Sequence, residues 1–318
     1  MPLVQTTAGP LDADQLGRTL VHEHLNSASE GVRFQWPHLV DHASELERAL
    51  TQVRAVQAHG VQTICDPSVL DLGRDVQLHL RVQEATGMRF VLATGIYGQH
   101  YTFLPHYFQN RPVEAMAECF RHDLETGIQG TEIRAGFLKC AADAPGFTDD
   151  VDKIHRGIAQ ASLATGAPIM VHSNPNARTG LRSVEILVAE EGVAPEKVQV
   201  AHTGDTADMG YVRELLDTGV FVGMDRYGLD DFFGPGHRER NETVKAVVDA
   251  GFADRMLLGQ DHCASIDWFP AEVVTQLAPK WSFHLVFDEV IPELLELGVT
   301  EAQVDAMLGA NVRAWLTS

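Results

Sequence analysis

Eight short runs of β-branched and apolar residues punctuate the chain: "TLVHEH" at 19–24, "VQTICDP" at 61–67, "RFVLATG" at 89–95, "RAGFLKC" at 134–140, "APIMVH" at 167–172, "VQVAHT" at 198–203, "GVFVGMD" at 219–225 and "MLLGQD" at 256–261. Near-continuous apolar runs of this length predict strands buried on both faces, as in parallel sheets. The segments between them follow a different period. Over 41–60, Leu46, Leu50, Val53 and Val56 recur at helical spacing and Gly60 supplies a stop. Comparable patterns predict helices over 113–126, 151–165, 181–190, 211–216 and 242–250.

Strand alternating with helix eight times predicts an α/β fold closed as a (β/α)8 TIM barrel, with residues 1–318 as a single domain. The alternative is an open doubly wound sheet, but no G-x-G-x-x-G follows the first strand to mark a dinucleotide fold. No linker, repeat or low-complexity segment divides the chain. The longest stretch without either pattern is 261–283, directly after the eighth strand, where long loops of this fold carry function.

Composition narrows the partners. Lys+Arg 24 against Asp+Glu 44 gives a formal charge of -20, which repels a phosphate backbone and an anionic membrane surface. Nucleic acid is therefore not an expected partner. No apolar run reaches the roughly twenty residues of a membrane span, so membrane insertion is not expected either. The start "MPLVQTTAGPLDAD" lacks the basic and apolar regions of a secretion signal, which points to a cytoplasmic protein. Cys65, Cys119, Cys140 and Cys263 form no Cys-x-x-Cys pair and read as reduced small hydrophobes.

The candidate chemistry lies where the strands end. In "HEH" the two histidines project to one side of a strand while Glu23 points away. His-x-His alone is weak, because imidazoles are more often surface or capping groups than ligands. The remaining strands add to it: Lys139 ends the fourth, His172 the fifth, His202 the sixth and Asp261 the eighth. In a barrel all six share the C-terminal mouth, where active sites of this fold are built. Lys139 is the odd member, since an ammonium would repel cations; it either snorkels outward or is carboxylated to an anionic bridge. Two divalent ions, carbamate, Asp261 and a bridging hydroxide then give a mildly electrophilic site that generates its own nucleophile.

This ordered set, with "DRYGLD" at 225–230, resembles the phosphotriesterase family of the amidohydrolase superfamily, and within it the phosphotriesterase-like lactonase branch. The resemblance spans essentially the whole chain. It implies two divalent metal ions, zinc foremost, with cobalt, iron or manganese also accepted by such ligands. By the same resemblance His22, His24 and Asp261 hold the more buried ion, His172 and His202 the more exposed one, and carboxylated Lys139 bridges. It also implies that Tyr97, in "TGIYG", orients the substrate over the metals and that Arg226 helps hold the loops. Without the resemblance, Tyr97 reads as a core ring and Arg226 as a surface ion pair.

The leading functional expectation is opening of lactones, foremost N-acyl-homoserine lactones, as in quorum quenching. A metal-bridging hydroxide would attack the ester carbonyl and Asp261 would pass a proton to the leaving alkoxide, with weak phosphotriester hydrolysis as a side activity. The alternative keeps the site and makes phosphotriester hydrolysis the main activity. A catalytically silent metal-binding barrel and a mononuclear deaminase are the remaining readings; the intact ligand set opposes the first and Lys139 the second. Leu229, Phe232, Phe233, Trp268, Phe269, Trp281 and Phe283 follow "DRYG" and Asp261, and the expected substrate-binding set is Tyr97, Arg226, Leu229, Phe232, Trp268 and Phe269. Homodimers are the expected assembly.

Overall fold

The computed structural model describes residues 2–98, 104–230 and 232–318. All eight expected strands are present: β1 (Arg18–Leu20), β2 (Val61–Asp66), β3 (Arg89–Gly95), β4 (Phe137–Ala142), β5 (Ile169–Ser173), β6 (Val198–Ala201), β7 (Phe221–Met224) and β8 (Met256–Leu258). They form one parallel sheet in sequence order. β1 and β8 stop short of pairing with each other. The chain just beyond them closes the circle: Glu23–His24 pairs in parallel with His262–Cys263, and Asp261 N donates to His22 O at 3.0 Å.

The run at 19–24 is therefore two short pieces rather than one strand, and Glu23 explains the seam. Its buried carboxylate accepts from Gln260 N at 2.8 Å and His262 N at 3.0 Å, tying the first strand's end to the eighth's. Burial holds this carboxyl well above the usual carboxylate range, against those two donors. As its alternation with His22 and His24 requires, it serves the barrel and not the mouth.

Alternation also sorts the core. Val91, Ala93, Phe137, Met170, Ala201, Phe221 and Leu257 pack inside the barrel, while Ile64, Leu92, Leu138, Val171, Val200 and Val222 face the helix layer. Lys139 lies two residues after Phe137 and His172 two after Met170, so both continue the inward row at its upper end. The expected helices appear at His42–Gln57, Glu114–Glu125, Asp149–Thr165, Thr179–Val184 with its continuation to Glu190, Met209–Asp217 and His237–Asp249. Among the described residues no helix is long and apolar enough to cross a membrane.

Other features escape the periodicity. A hairpin of Leu3–Thr6 and Gly9–Asp12 covers the barrel floor, with Val4 packed among Val91 and Phe137. A helix at Val76–Thr86 joins the outer layer, and a helical C-terminal segment ends in Asn311–Leu316, whose Trp315 ring stands edge-on to Phe137 at 5.4 Å. The stretch 261–283 is not without regular structure, because Ala271–Leu277 forms a helix over the mouth. Its residues are exposed or half-buried, so the two-sided burial that makes a strong sequence pattern is missing.

Candidate metal centre

His22 and His24 do converge. Each Nε2 lies 3.2 Å from Asp261 Oδ1, and His202 Nε2 lies 3.7 Å from Asp261 Oδ2. Ligand atoms of His22, His202 and Asp261 all fall within 4.8 Å of one another. The His172 ring stands edge-on to His202 at 4.4 Å between centroids, and its Nδ1 is 3.2 Å from the Tyr97 hydroxyl. Asp261 and His202 adopt left-handed backbone at φ 51° and 63°, a conformation costly for non-glycine residues and concentrated at functional sites.

Lys139 is 1% exposed, and among the described residues its Nζ has no hydrogen-bond partner, nor has His202 Nε2. A snorkelling lysine is excluded by that burial. Burial lowers the Lys139 amine to about 8, which makes the neutral, carboxylatable form accessible near neutrality. Burial likewise lowers His172 to about 4 and His202 well below its ordinary value. Neutral imidazoles are ligands, so these two are ready to bind a cation. Burial acts to raise the Asp261 carboxyl, but the His22 imidazole, itself raised above its ordinary value, holds it well below the usual range and ionised. Two orphaned nitrogens, neutral imidazoles and a fixed carboxylate are a donor set that a divalent cation satisfies and the protein alone does not.

Asp225 was not among the expected site residues. It is fully buried and holds two of the clustered histidines at once, with His22 Nδ1 2.9 Å from Oδ2 and His202 Nδ1 3.1 Å from Oδ1. His202 N also donates to Oδ1, at 2.7 Å. These contacts turn both Nε2 atoms inward, the role of carboxylates behind metal-binding histidines. The available signal was its place as the last residue of the seventh run. Asp225→Ala is expected to lower affinity for added cobalt about 10–100-fold, as measured by titrating metal-free protein.

Arg226 is not a surface ion pair: it is 7% exposed and joins Asp261 Oδ2 at 3.0 Å to Asp205 Oδ2 at 2.8 Å. The two oxygens of Asp261 are thus divided, one toward the histidine pair and one toward Arg226. Tyr97 is placed by Asp71, a carboxylate accepting from Tyr97 N at 2.7 Å and Gly98 N at 2.6 Å. Burial raises the Tyr97 phenol well above its usual value, so it stays protonated as a donor.

A cavity of about 380 Å³ opens over these groups. Tyr97, Arg226, Leu229, Phe232, Trp268 and Phe269 all line it, as do Phe233 and Trp281. Phe283 does not: it is fully buried, edge-on to His262 in the core. Its apolar character marked packing, which sequence cannot tell from a pocket wall.

A closed (β/α)8 barrel with a His/His/Asp cluster at its C-terminal mouth, capable of coordinating a metal ion, defines a metal-dependent hydrolase of amidohydrolase type. The chain belongs to the Phosphotriesterase family, which it matches over residues 2–316. It is 42% identical over 309 residues to the "Aryldialkylphosphatase" of Saccharolobus solfataricus, covering 96% of this chain and 97% of that one. It is 38% identical over 321 residues to the "Phosphotriesterase homology protein" of Mycobacterium tuberculosis, covering 98% and 97%. The solved structure of the phosphotriesterase from Mycobacterium tuberculosis superposes with a TM-score of 0.94 at 37% identity, over 99% of this chain and 98% of that one.

Proposed function

We propose that this chain hydrolyses uncharged organic esters, with His22, His24 and Asp261 holding one divalent cation, His172 and His202 a second, and carboxylated Lys139 shared between them. The carrying observation is a cavity walled by Leu229, Phe232, Trp268 and Phe269 whose one lining arginine among the described residues, Arg226, is already engaged by two carboxylates. With Lys139, which also lines the cavity, carboxylated and no longer cationic, an anionic substrate would find no free Lys or Arg side chain among the described lining residues. Bound cations would supply Lewis acidity and activate water. The Tyr97 hydroxyl donates to the ester oxygen and orients it. Asp261, ionised and held by Arg226, takes the proton of the attacking water and delivers it to the leaving oxygen.

Of the two substrate classes, the names of the curated relatives favour phosphotriesters over lactones. The lactone reading, including N-acyl-homoserine lactones, rests on the residue-by-residue resemblance and on the apolar wall, which suits an acyl chain. The ratio of kcat/KM for an aryl dialkyl phosphate over an N-acyl-homoserine lactone decides between them. A long acyl lactone has its own signature. Each buried methylene is worth about 0.8 kcal/mol, so extending a tail from six to ten carbons gains at most about 3.2 kcal/mol, or roughly two-hundredfold. We expect kcat/KM to rise along that series and the slope to shrink in Trp268→Ala; a flat wild-type series removes the long-chain lactone.

Elemental analysis of metal-replete protein is expected to give two ions per chain, zinc foremost; one ion or none removes the binuclear reading. A cytoplasmic homodimer is part of the same proposal, and light scattering in solution tests the dimer.

A further inference from the structure

Behind His24, on the helix side of β2, lies a pair of titratable groups that the hydrolytic reading leaves unused. His79, on the helix Val76–Thr86, and Asp66, at the end of β2, are 0% and 1% exposed, and His79 Nε2 lies 2.7 Å from Asp66 Oδ2. The other ring nitrogen, Nδ1, lies 2.8 Å from the backbone carbonyl of Asp75. A carbonyl only accepts, so Nδ1 carries a proton. The contact at Nε2 then needs a second proton, shared with Asp66. Asp66 also accepts from Leu25 N at 2.9 Å and Ser68 N at 2.8 Å, which favours its ionised form. Imidazole is the more basic partner by more than about two pKa units in the ordinary state, so the proton belongs to the ring.

The surroundings agree. Facing His79 are Asp66 from β2, Asp75 from the start of its own helix and the ring of Phe90 from β3, edge-on at 5.1 Å. Burial acts to lower the imidazole, yet the two carboxylates carry it above its ordinary value.

The pair meets His24 directly, with Asp66 Oδ1 3.6 Å from His24 Nδ1, and also through one hydroxyl. Ser68, whose N–H is held by Asp66, has its Oγ 3.1 Å from Asn26 O and 2.7 Å from His24 Nδ1. The hydroxyl proton goes to the carbonyl, since that oxygen can only accept. Ser68 Oγ must then accept from His24 Nδ1–H, which leaves the Nε2 lone pair facing Asp261 Oδ1 at 3.2 Å. We infer that His79 and Asp66 form a permanently ionised buried pair that holds Ser68 in place, so that His24 keeps its proton on Nδ1 and offers Nε2 to a cation. His79 is thus a positioning residue two contacts removed from the site, and the inference rests on the metal-centre reading.

The test uses the full chain, first without metal. Nitrogen-15 NMR of histidine-labelled protein at pH 8 is expected to show a doubly protonated imidazole that vanishes in His79→Gln, and His24, assigned by its loss in His24→Gln, as the Nδ1–H tautomer. A singly protonated His79, or a His24 protonated on Nε2, overturns the inference. In the second arm, His79→Gln and Ser68→Ala are each expected to lower affinity for added cobalt(II) about 10–100-fold. Wild-type affinity in both overturns it. Should the wild-type protein bind no cobalt, the metal-centre reading fails, while the tautomer measurement still judges the charge pair by itself.

Discussion

Lys139→Ala is expected to strip the protein of most of its metal and to lower kcat/KM by about 10²–10⁴-fold, the equivalent of several kcal/mol of Lewis-acid stabilisation. The reason lies in the site's charge. Lys139 is buried at the cavity floor with His22, His172 and Asp261, its Nζ unpartnered among the described residues, a state costly for an ammonium and natural for a carbamate. Alanine leaves a gap the size of the lost arm, so added formate or acetate should enter it, replace the carbamate and restore part of both metal content and rate. Lys139→Met fills the gap with an apolar chain; it should lose metal equally and resist rescue. Full metal content and rate in unrescued Lys139→Ala would show that this lysine does not bridge.

Asp261→Asn is expected to reduce kcat by about 10²–10⁴-fold, the range for lost acid–base assistance, while retaining part of the metal. The carboxamide keeps the shape and one oxygen for the histidine side, where Oδ1 now lies 3.2 Å from two Nε2 atoms. It cannot carry the proton, and it no longer offers a charge to the Arg226 Nε that sits 3.0 Å from Oδ2. Metal content and single-turnover rate measured on one preparation separate the two losses. An unchanged kcat would leave Asp261 a ligand without a part in proton transfer.

Both substitutions concern residues that were legible as strand ends, and the reason is local. A parallel strand buried on both faces must be an apolar run, so a lysine, histidine or aspartate closing such a run stands out against it. Eight runs separated by helical spacing then imply the closed barrel, and the barrel places their ends at one rim. The ligand candidates, the fold and the unfavourable charge for nucleic acid followed from composition and period alone.

What tertiary structure decided lies in contacts between residues far apart in sequence. Asp225 looks like any strand-end aspartate until it is seen to hold His22, 203 positions away, together with His202. Arg226 reads as a surface cation, yet it is buried between Asp205 and Asp261. Phe283 and Trp268 carry the same apolar signal; one is fully buried in the core and the other, 49% exposed, lines the cavity mouth. Burial and hydrogen-bond partnership are properties of the assembled chain, because they depend on which surfaces meet. The sequence could name the side chains able to do chemistry here; only packing determined which are ionised, which nitrogen of each imidazole is free, and which apolar groups face a ligand instead of one another.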